Sequence, residues 1–211
     1  GGKAVEIYVS DIRNLGLKGT ACRIHIGVES VEVTIPLPGE HMVWNALAAA
    51  NVGHLLGLTL EEIAKGISEV KSVGGRSNVI ETESYTLIDD CYNANPGSMK
   101  SALDLLAYAT QRKVAVMGDM FELGEHENTL HEETGAYAAQ KGIDVIVCIG
   151  NLSVHMEKGA KAAGQQSQVY YFTDKQSFLE QANQILQQGD AVLLKASHGM
   201  HFEELLEALK N

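Results

Sequence analysis

The sequence predicts an α/β protein: a Rossmann-like, mostly parallel sheet with helices on both faces, preceded by a smaller part-domain of antiparallel strands and two helices. Three observations carry this. From Thr86 onward, short apolar runs alternate with amphipathic helical segments, the pattern of a parallel sheet covered on both sides. Before Pro36, three runs alternate apolar and polar residues, as strands with one wet face do. Between the two blocks, Ser72-Val73-Gly74-Gly75 reads as a linker, so the boundary is placed between a first domain at 1–74 and a second at 75–211.

Each element has its own warrant. The runs Val5–Val9, Thr20–Ile26 and Glu29–Ile35 are punctuated by Gly16, Gly19 and Gly27 and stopped by Pro36, Pro38 and Gly39. An Ala-rich helix follows from Val43 to Leu56, with Leu47, Ala50 and Leu55 on its expected core face and Gly57 at its end. Thr59 with Glu62 three residues on is a capping box, opening a second helix that runs to Val70. Asn78–Glu81 and Tyr85–Asp89 form a strand pair turning at Thr82–Ser84. The later strands are Val114–Met117, Val145–Ile149, Val169–Phe172 and Ala191–Lys195. The later helices are Pro96–Ala109, Glu127–Lys141, Leu152–Ala163, Asp174–Gln188, capped by Thr173, and Met200–Lys210. Right-handed crossovers then gather Asp90–Asn95, Gly118–Gly124, Gly150–Ser153, Thr173 and Ser197–Met200 on one rim.

Composition narrows the function. Acidic residues outnumber basic ones, 27 to 16, for a net charge of −11, which argues against non-specific nucleic-acid binding. A nucleotide ligand remains compatible, because a local cation or helix N-terminus binds phosphate within an acidic protein. Cys22, Cys91 and Cys148 are widely spaced and read as free thiols of a reducing compartment. The lack of a long apolar run or a signal peptide sets the expectation of a cytoplasmic protein without a membrane span.

The chain is organised around Thr86–Met99. An apolar run climbs to Asp89 and Asp90, a polar turn follows, and Asn95 caps a helix that Pro96 opens. Charged groups at a strand's carboxyl end lie where ligands bind in open α/β sheets. Asp and Asn are also common in plain turns, but the order Asp-Asp-x-Tyr-Asn-Ala-Asn-Pro-x-Ser is too unusual for turn chemistry alone. In Gly118–Gly124, Asp119 or Glu122 would suit an ammonium, or the segment is an ordinary βα loop. Lys195, Ser197 and the helix start near Met200 would suit a carboxylate or phosphate, although alone they read as a cap and a surface lysine. His126 and His131 lie five apart among glutamates and read as part of a solvated acidic helix, not a metal site. Nothing pairs Cys91 with a base, so a thiol nucleophile is rejected. There is no phosphate loop, no Gly-x-Gly-x-x-Gly after a strand and no nucleophile elbow.

Several separated motifs resemble the Mur ligase family, in the family's order and over nearly the whole chain. They are His41–Ala49, Gly75-Arg76, Asp89–Met99, Gly118–Gly124 and Lys195–Met200. The resemblance implies a three-domain ATP-dependent amide ligase. This chain would hold the end of the central ATPase domain and the C-terminal α/β domain. It implies ATP as co-substrate, with D-alanyl-D-alanine and UDP-N-acetylmuramoyl-tripeptide as the other small-molecule substrates, in peptidoglycan precursor synthesis by a monomer. Asn45 and His41 would belong to the ATP site, although Met42 stands where the family often carries Asn. Arg76 would reach the ATP from the hinge and Asp90 would hold the ribose. Tyr92, Asn93 and Asn95 would line the site between domains. Asp119, Glu122, Lys195, Ser197 and Met200 would face the dipeptide. The phosphate loop and the usual Mg2+ ligands would lie upstream of Gly1, so no catalytic set is complete here, no residue of this chain is a metal ligand, and the chain alone is expected not to catalyse ligation. Two other readings stay open: a non-catalytic nucleotide- or peptide-binding module, and a sibling amide ligase of the folyl-polyglutamate synthetase type.

Overall fold

A computed structural model describes residues 6–72, 74–164 and 166–210. Val5 of the first expected strand and Val73 of the expected linker lie outside the described residues. The chain divides into two compact units, 1–72 and 73–211.

The first unit is a three-stranded antiparallel sheet with two helices. Strand β1 (Ile7–Asn14) pairs with β2 (Thr20–Ile26), which pairs with β3 (Glu29–Ile35). β2 and β3 follow the alternation as read. β1 continues five residues beyond its expected end, through a bulge between Ser10 and Arg13 where Asp11 turns left-handed at φ 53°. Helices α1 (His41–Leu55) and α2 (Leu60–Ser68) cover one face, packing Val43, Ala46, Ala50, Ile63 and Ile67 onto Cys22, Ile24, Ile26, Val33 and Ile35. The capping box of α2 forms as expected: Thr59 Oγ1 accepts from Glu62 N–H at 3.2 Å, and Glu62 accepts from Thr59 N–H at 2.8 Å. The face of α1 differs from expectation. Val43, Ala46, Ala50 and Gly53 are buried, while Leu55 is 82% exposed. Alanine and apolar residues surround this helix on every side, so periodicity does not choose a face and packing against α2 does.

The second unit carries a six-stranded sheet. Its elements are β4 (Asn78–Glu81), β5 (Thr86–Asp89), α3 (Pro96–Ala107), β6 (Lys113–Gly118), α4 (Glu127–Gln140), β7 (Val145–Ile149), α5 (Ser153–Ala162), β8 (Gln168–Phe172), α6 (Lys175–Leu179), α7 (Ala182–Ile185), β9 (Ala191–Lys195) and α8 (Glu203–Lys210). The spatial order is β4-β5-β9-β6-β7-β8, all parallel except the edge strand β4. β9, last in sequence, enters between β5 and β6. The four inner strands, β5, β9, β6 and β7, are buried on both faces. Leu87, Val114, Val116, Val145, Val147, Val192 and Leu194 meet α6, α7 and α8. The alternate residues, among them Ile88, Met117 and Leu193, turn to the side of α3, α4 and α5.

Two elements depart from the helical reading of 174–211. The expected helix 174–188 breaks into α6 and α7, and Leu186 is extended. Arg112 donates to the Ile185 carbonyl and Asp190 accepts from Gln187 N–H, so side chains capture backbone groups that a continued helix needs. Asp174, not Thr173, caps α6 by accepting from Ser177 N–H at 2.8 Å, and that bond holds its carboxyl below the ordinary carboxylate range. The last helix begins at Glu203, not Met200. Lys175 Nζ donates to the carbonyls of Met200 (2.9 Å) and His201 (3.0 Å), and His201 sits left-handed at φ 52°.

α4 and α5 approach more closely than side chains normally permit. A Cβ on Gly135 would lie 1.9 Å from the Met156 carbonyl oxygen, and one on Gly159 would lie 1.8 Å from that of Glu132. Gly135→Ala and Gly159→Ala are each expected to destabilise the second unit by ~1–3 kcal/mol. Gly66→Ala, on an open face of α2, is expected to stabilise the first by ~0.5–1 kcal/mol. Urea unfolding of the three variants measures both signs.

Candidate functional site

The carboxyl ends of β5, β9 and β6 lie side by side, and their loops form the site of the second unit. Register explains its centre. Asp89 pairs with Leu194 and Met117 with Lys195. One step on, Asp90 N–H donates to the Leu194 carbonyl, which sets Asp90 beside Lys195. Lys195 Nζ donates to Asp90 Oδ2 at 2.6 Å and to the Asn93 carbonyl at 2.9 Å. The lysine side chain is 2% exposed and the aspartate 13%. The surface lysine that the 195–200 segment suggested is therefore a buried cation, pinning the Asp90–Asn93 turn from beneath.

Both carboxylates of the central motif also hold the segment entering this unit. Asp89 Oδ2 accepts from Gly75 N–H at 3.0 Å, and Asp90 Oδ1 accepts from Ser77 N–H at 2.8 Å. Tyr92 N–H donates to the Gly75 carbonyl at 2.9 Å. Gly75 is left-handed, φ 76°, and a Cβ there would crowd the Tyr92 backbone at 3.1 Å. Between these bonds the guanidinium of Arg76 lies 4.0 Å from the centroid of the Tyr92 ring. Arg76 is thus carried by the second unit on an aromatic platform. Tyr92, Asn93 and Asn95 are exposed. Asn95 serves first as the cap of α3, Oδ1 accepting from Ser98 N–H at 2.9 Å, as its place before Pro96 predicts.

The Gly118–Gly124 loop is fixed from three sides. Asp119 is buried, and its Oδ1 accepts both the N–H (2.7 Å) and the hydroxyl (2.6 Å) of Ser153 at the start of α5. Ser197, also buried, donates its N–H to the Asp119 carbonyl at 3.0 Å and accepts the Phe121 N–H on Oγ at 2.8 Å. His131 accepts the Met120 N–H on Nε2 at 2.9 Å. This corrects the reading of His131 as solvated: it is fully buried under the loop, while His126 is exposed. The nearby glutamates suggested a wet helix, and Glu125 and Glu133 are indeed exposed, but the His131 ring turns inward beneath the loop. Glu122 is exposed at the crest, left-handed at φ 61°, beside a half-exposed Phe121. His198 and His201 are exposed, and the His198 ring lies 6.1 Å from that of Tyr92. Met200 is partly buried against the core. The Cys91 thiol donates to the Leu194 carbonyl, and burial pushes its pKa well above the ordinary thiol range, in keeping with no nucleophilic role.

In the first unit, His41 opens α1 and folds its ring over Gly39. Asn45 is exposed on the same helix, and its Nδ2 donates to Met42 Sδ at 3.4 Å. It borders an apolar cavity of about 280 Å³ between α1 and α2, with Met42, Ala49, Leu58 and Ile63. Among the described residues, no group of three or more His, Cys, Asp or Glu is placed to hold a metal ion, and no helix is long and apolar enough to cross a membrane.

The rim architecture, with its carboxylate pair and its Gly118–Gly124 loop, defines a class. Residues 75–198 match the family model described as Mur ligase, glutamate ligase domain, and the chain belongs to the Mur ligase family. It is 37% identical over 190 residues to the UDP-N-acetylmuramoyl-tripeptide--D-alanyl-D-alanine ligase of Bacillus subtilis (strain 168), covering 88% of this chain and 42% of that protein. It is 36% identical over 195 residues to the protein of the same name in Escherichia coli (strain K12), covering 91% and 42%. The crystal structure of MurF from Acinetobacter baumannii superposes with a TM-score of 0.87 at 32% identity, over 97% of this chain and 45% of that one. The chain therefore spans less than half the length of these relatives.

The Lys195–Asp90 pair gives a direct test of the site's frame. Lys195→Met leaves a buried carboxylate and the Asn93 carbonyl without their donor, and is expected to cost ~3–5 kcal/mol. Replacing both partners by apolar residues is expected to cost less than the single change. A double-mutant cycle by denaturant unfolding measures the coupling.

Proposed function

We propose that this chain is the acceptor-binding and nucleotide-closing part of an ATP-dependent ligase that adds D-alanyl-D-alanine to UDP-N-acetylmuramoyl-tripeptide. The observation that carries the reading is the convergence of the Asp89–Met99 motif and the Gly118–Gly124 loop on one rim, in a chain of Mur ligase descent. The names of its relatives support the choice of dipeptide.

In the reaction, a carboxylate oxygen of the tripeptide attacks the γ-phosphorus of ATP. ADP leaves and an acyl phosphate forms. The amine of D-alanyl-D-alanine then adds to the acyl carbon, loses a proton, and expels inorganic phosphate as the amide bond closes. Magnesium neutralises phosphoryl charge in such transfers, and no residue of this chain is assigned to it. Asn45 in the first unit contacts the base. Arg76 in the second reaches phosphate through its planar fork, and Asp90 accepts from the ribose hydroxyls with its remaining lone pairs. Tyr92 holds Arg76 in place, and Asn93 and Asn95 border the substrate. At the acceptor end, Glu122 pairs with the ammonium and the 198–200 turn, exposed at His198 and Gly199, faces the dipeptide carboxylate. Lys195, Ser197 and Asp119 act from beneath as the frame of those contacts.

The sequence has no phosphate loop, so the isolated 211-residue chain is expected to release no phosphate from ATP. In the full-length protein, phosphate release is expected to require both D-alanyl-D-alanine and the UDP-tripeptide, with glutamate failing as acceptor. Glu122→Gln is expected to raise the dipeptide KM ~10- to 100-fold with kcat little changed, as loss of a charge-assisted bond made in ground and transition state alike would do. Dependence on glutamate instead of the dipeptide would assign the chain to a sibling ligase.

A further inference from the structure

His131 is 0% exposed, and the chemistry above does not use it. Its Nε2 accepts the Met120 N–H, so that nitrogen carries no proton. The proton resides on Nδ1, which donates to the Glu127 carbonyl at 2.7 Å. The ring is thus locked in one tautomer between α4 and the loop. Met120 is itself fully buried, and the next N–H, that of Phe121, is taken by Ser197. Two successive backbone donors are therefore fixed by two side chains from different elements. The next residue is Glu122, in a left-handed conformation that few non-glycine residues adopt unaided. Asp119 cannot substitute for Glu122 at the surface, because its carboxylate is turned inward to Ser153.

We infer that His131 is a positioning residue for the acceptor amine: by holding the Met120 N–H it aims the Phe121–Glu122 crest. The inference rests on the reading of Glu122 as the ammonium partner. A side chain at 131 must accept from Met120 and fit a sealed space. Glutamine offers a carbonyl acceptor of comparable reach, and leucine offers none.

Two measurements test this. In the 15N-labelled chain, Nε2 of His131 is expected to show the shift of an unprotonated imine nitrogen and Nδ1 that of a protonated one. Hydrogen exchange at Met120 and Phe121 is expected to quicken at least ~10-fold in His131→Leu and to stay slow in His131→Gln. In the full-length protein, His131→Leu is expected to raise the dipeptide KM ~10- to 100-fold with the ATP KM unchanged, and His131→Gln to restore most of it. Unchanged exchange at Met120 in His131→Leu, a protonated Nε2 in the wild type, or a KM that rises equally for ATP and dipeptide would each overturn the role. Should His131→Leu not fold, the ring signature and the glutamine variant decide. A wild-type protein indifferent to the dipeptide would overturn the acceptor reading, while the exchange measurement still judges the anchor.

Discussion

A lysine ammonium sealed beneath a turn sets the geometry of the second unit's rim. Lys195 ends the central strand, and its charge is met by Asp90 and the Asn93 carbonyl. Burying such a pair adds little net stability compared with a well-packed apolar substitute, because desolvation offsets most of the attraction. What it adds is discrimination between registers. The pair forms only when β9 lies against β5 with Asp89 opposite Leu194. A one-residue slip would turn every side chain of β9 to the opposite face and strand the Lys195 charge in the apolar layer between the sheet and α6, α7 and α8.

The rim has two tiers. The lower tier is buried and polar: Lys195, Ser197, Asp119, Ser153 and His131. Each bonds a neighbouring loop, so that loops after β5, β6, β7 and β9 are tied into one frame. The upper tier is exposed: Arg76 on Tyr92, Asn93, Glu122, Phe121 and His198. Groups of the upper tier can meet ligand without reorganising, because their backbones are already held. Pre-organisation of this kind lowers the entropic cost of recognition.

Much of this was legible from residues alone. The capping box at Thr59, the Asn95-Pro96 helix start and the strand pair around Thr82 are local devices. Their partners lie within a few positions, so the spacing suffices to find them. Asp90, Glu122 and Tyr92 could be placed at strand ends because an apolar run followed by polar residues marks a carboxyl rim in an α/β chain. His131 could not be found this way. Its burial comes from a loop ten residues upstream folding over it, and the glutamates beside it pointed to water. The early end of the 174–188 segment at Ile185 was equally hidden, since Arg112 and Asp190, which capture backbone groups of Ile185 and Gln187, act across the sheet's far end.

The residue pattern by itself determined the fold class, the order of its elements and the family, because periodicity, caps and motifs are properties of neighbours along the chain. Tertiary structure alone decided which polar side chains face solvent and which brace the loops. Lys195 reads as a surface lysine and Ser197 as the cap of a helix start, and both prove to be interior. That outcome depends on β9 entering between β5 and β6, which brings residues over one hundred positions apart into hydrogen-bond range. No local rule encodes that proximity, since it arises only when the sheet closes around its last strand.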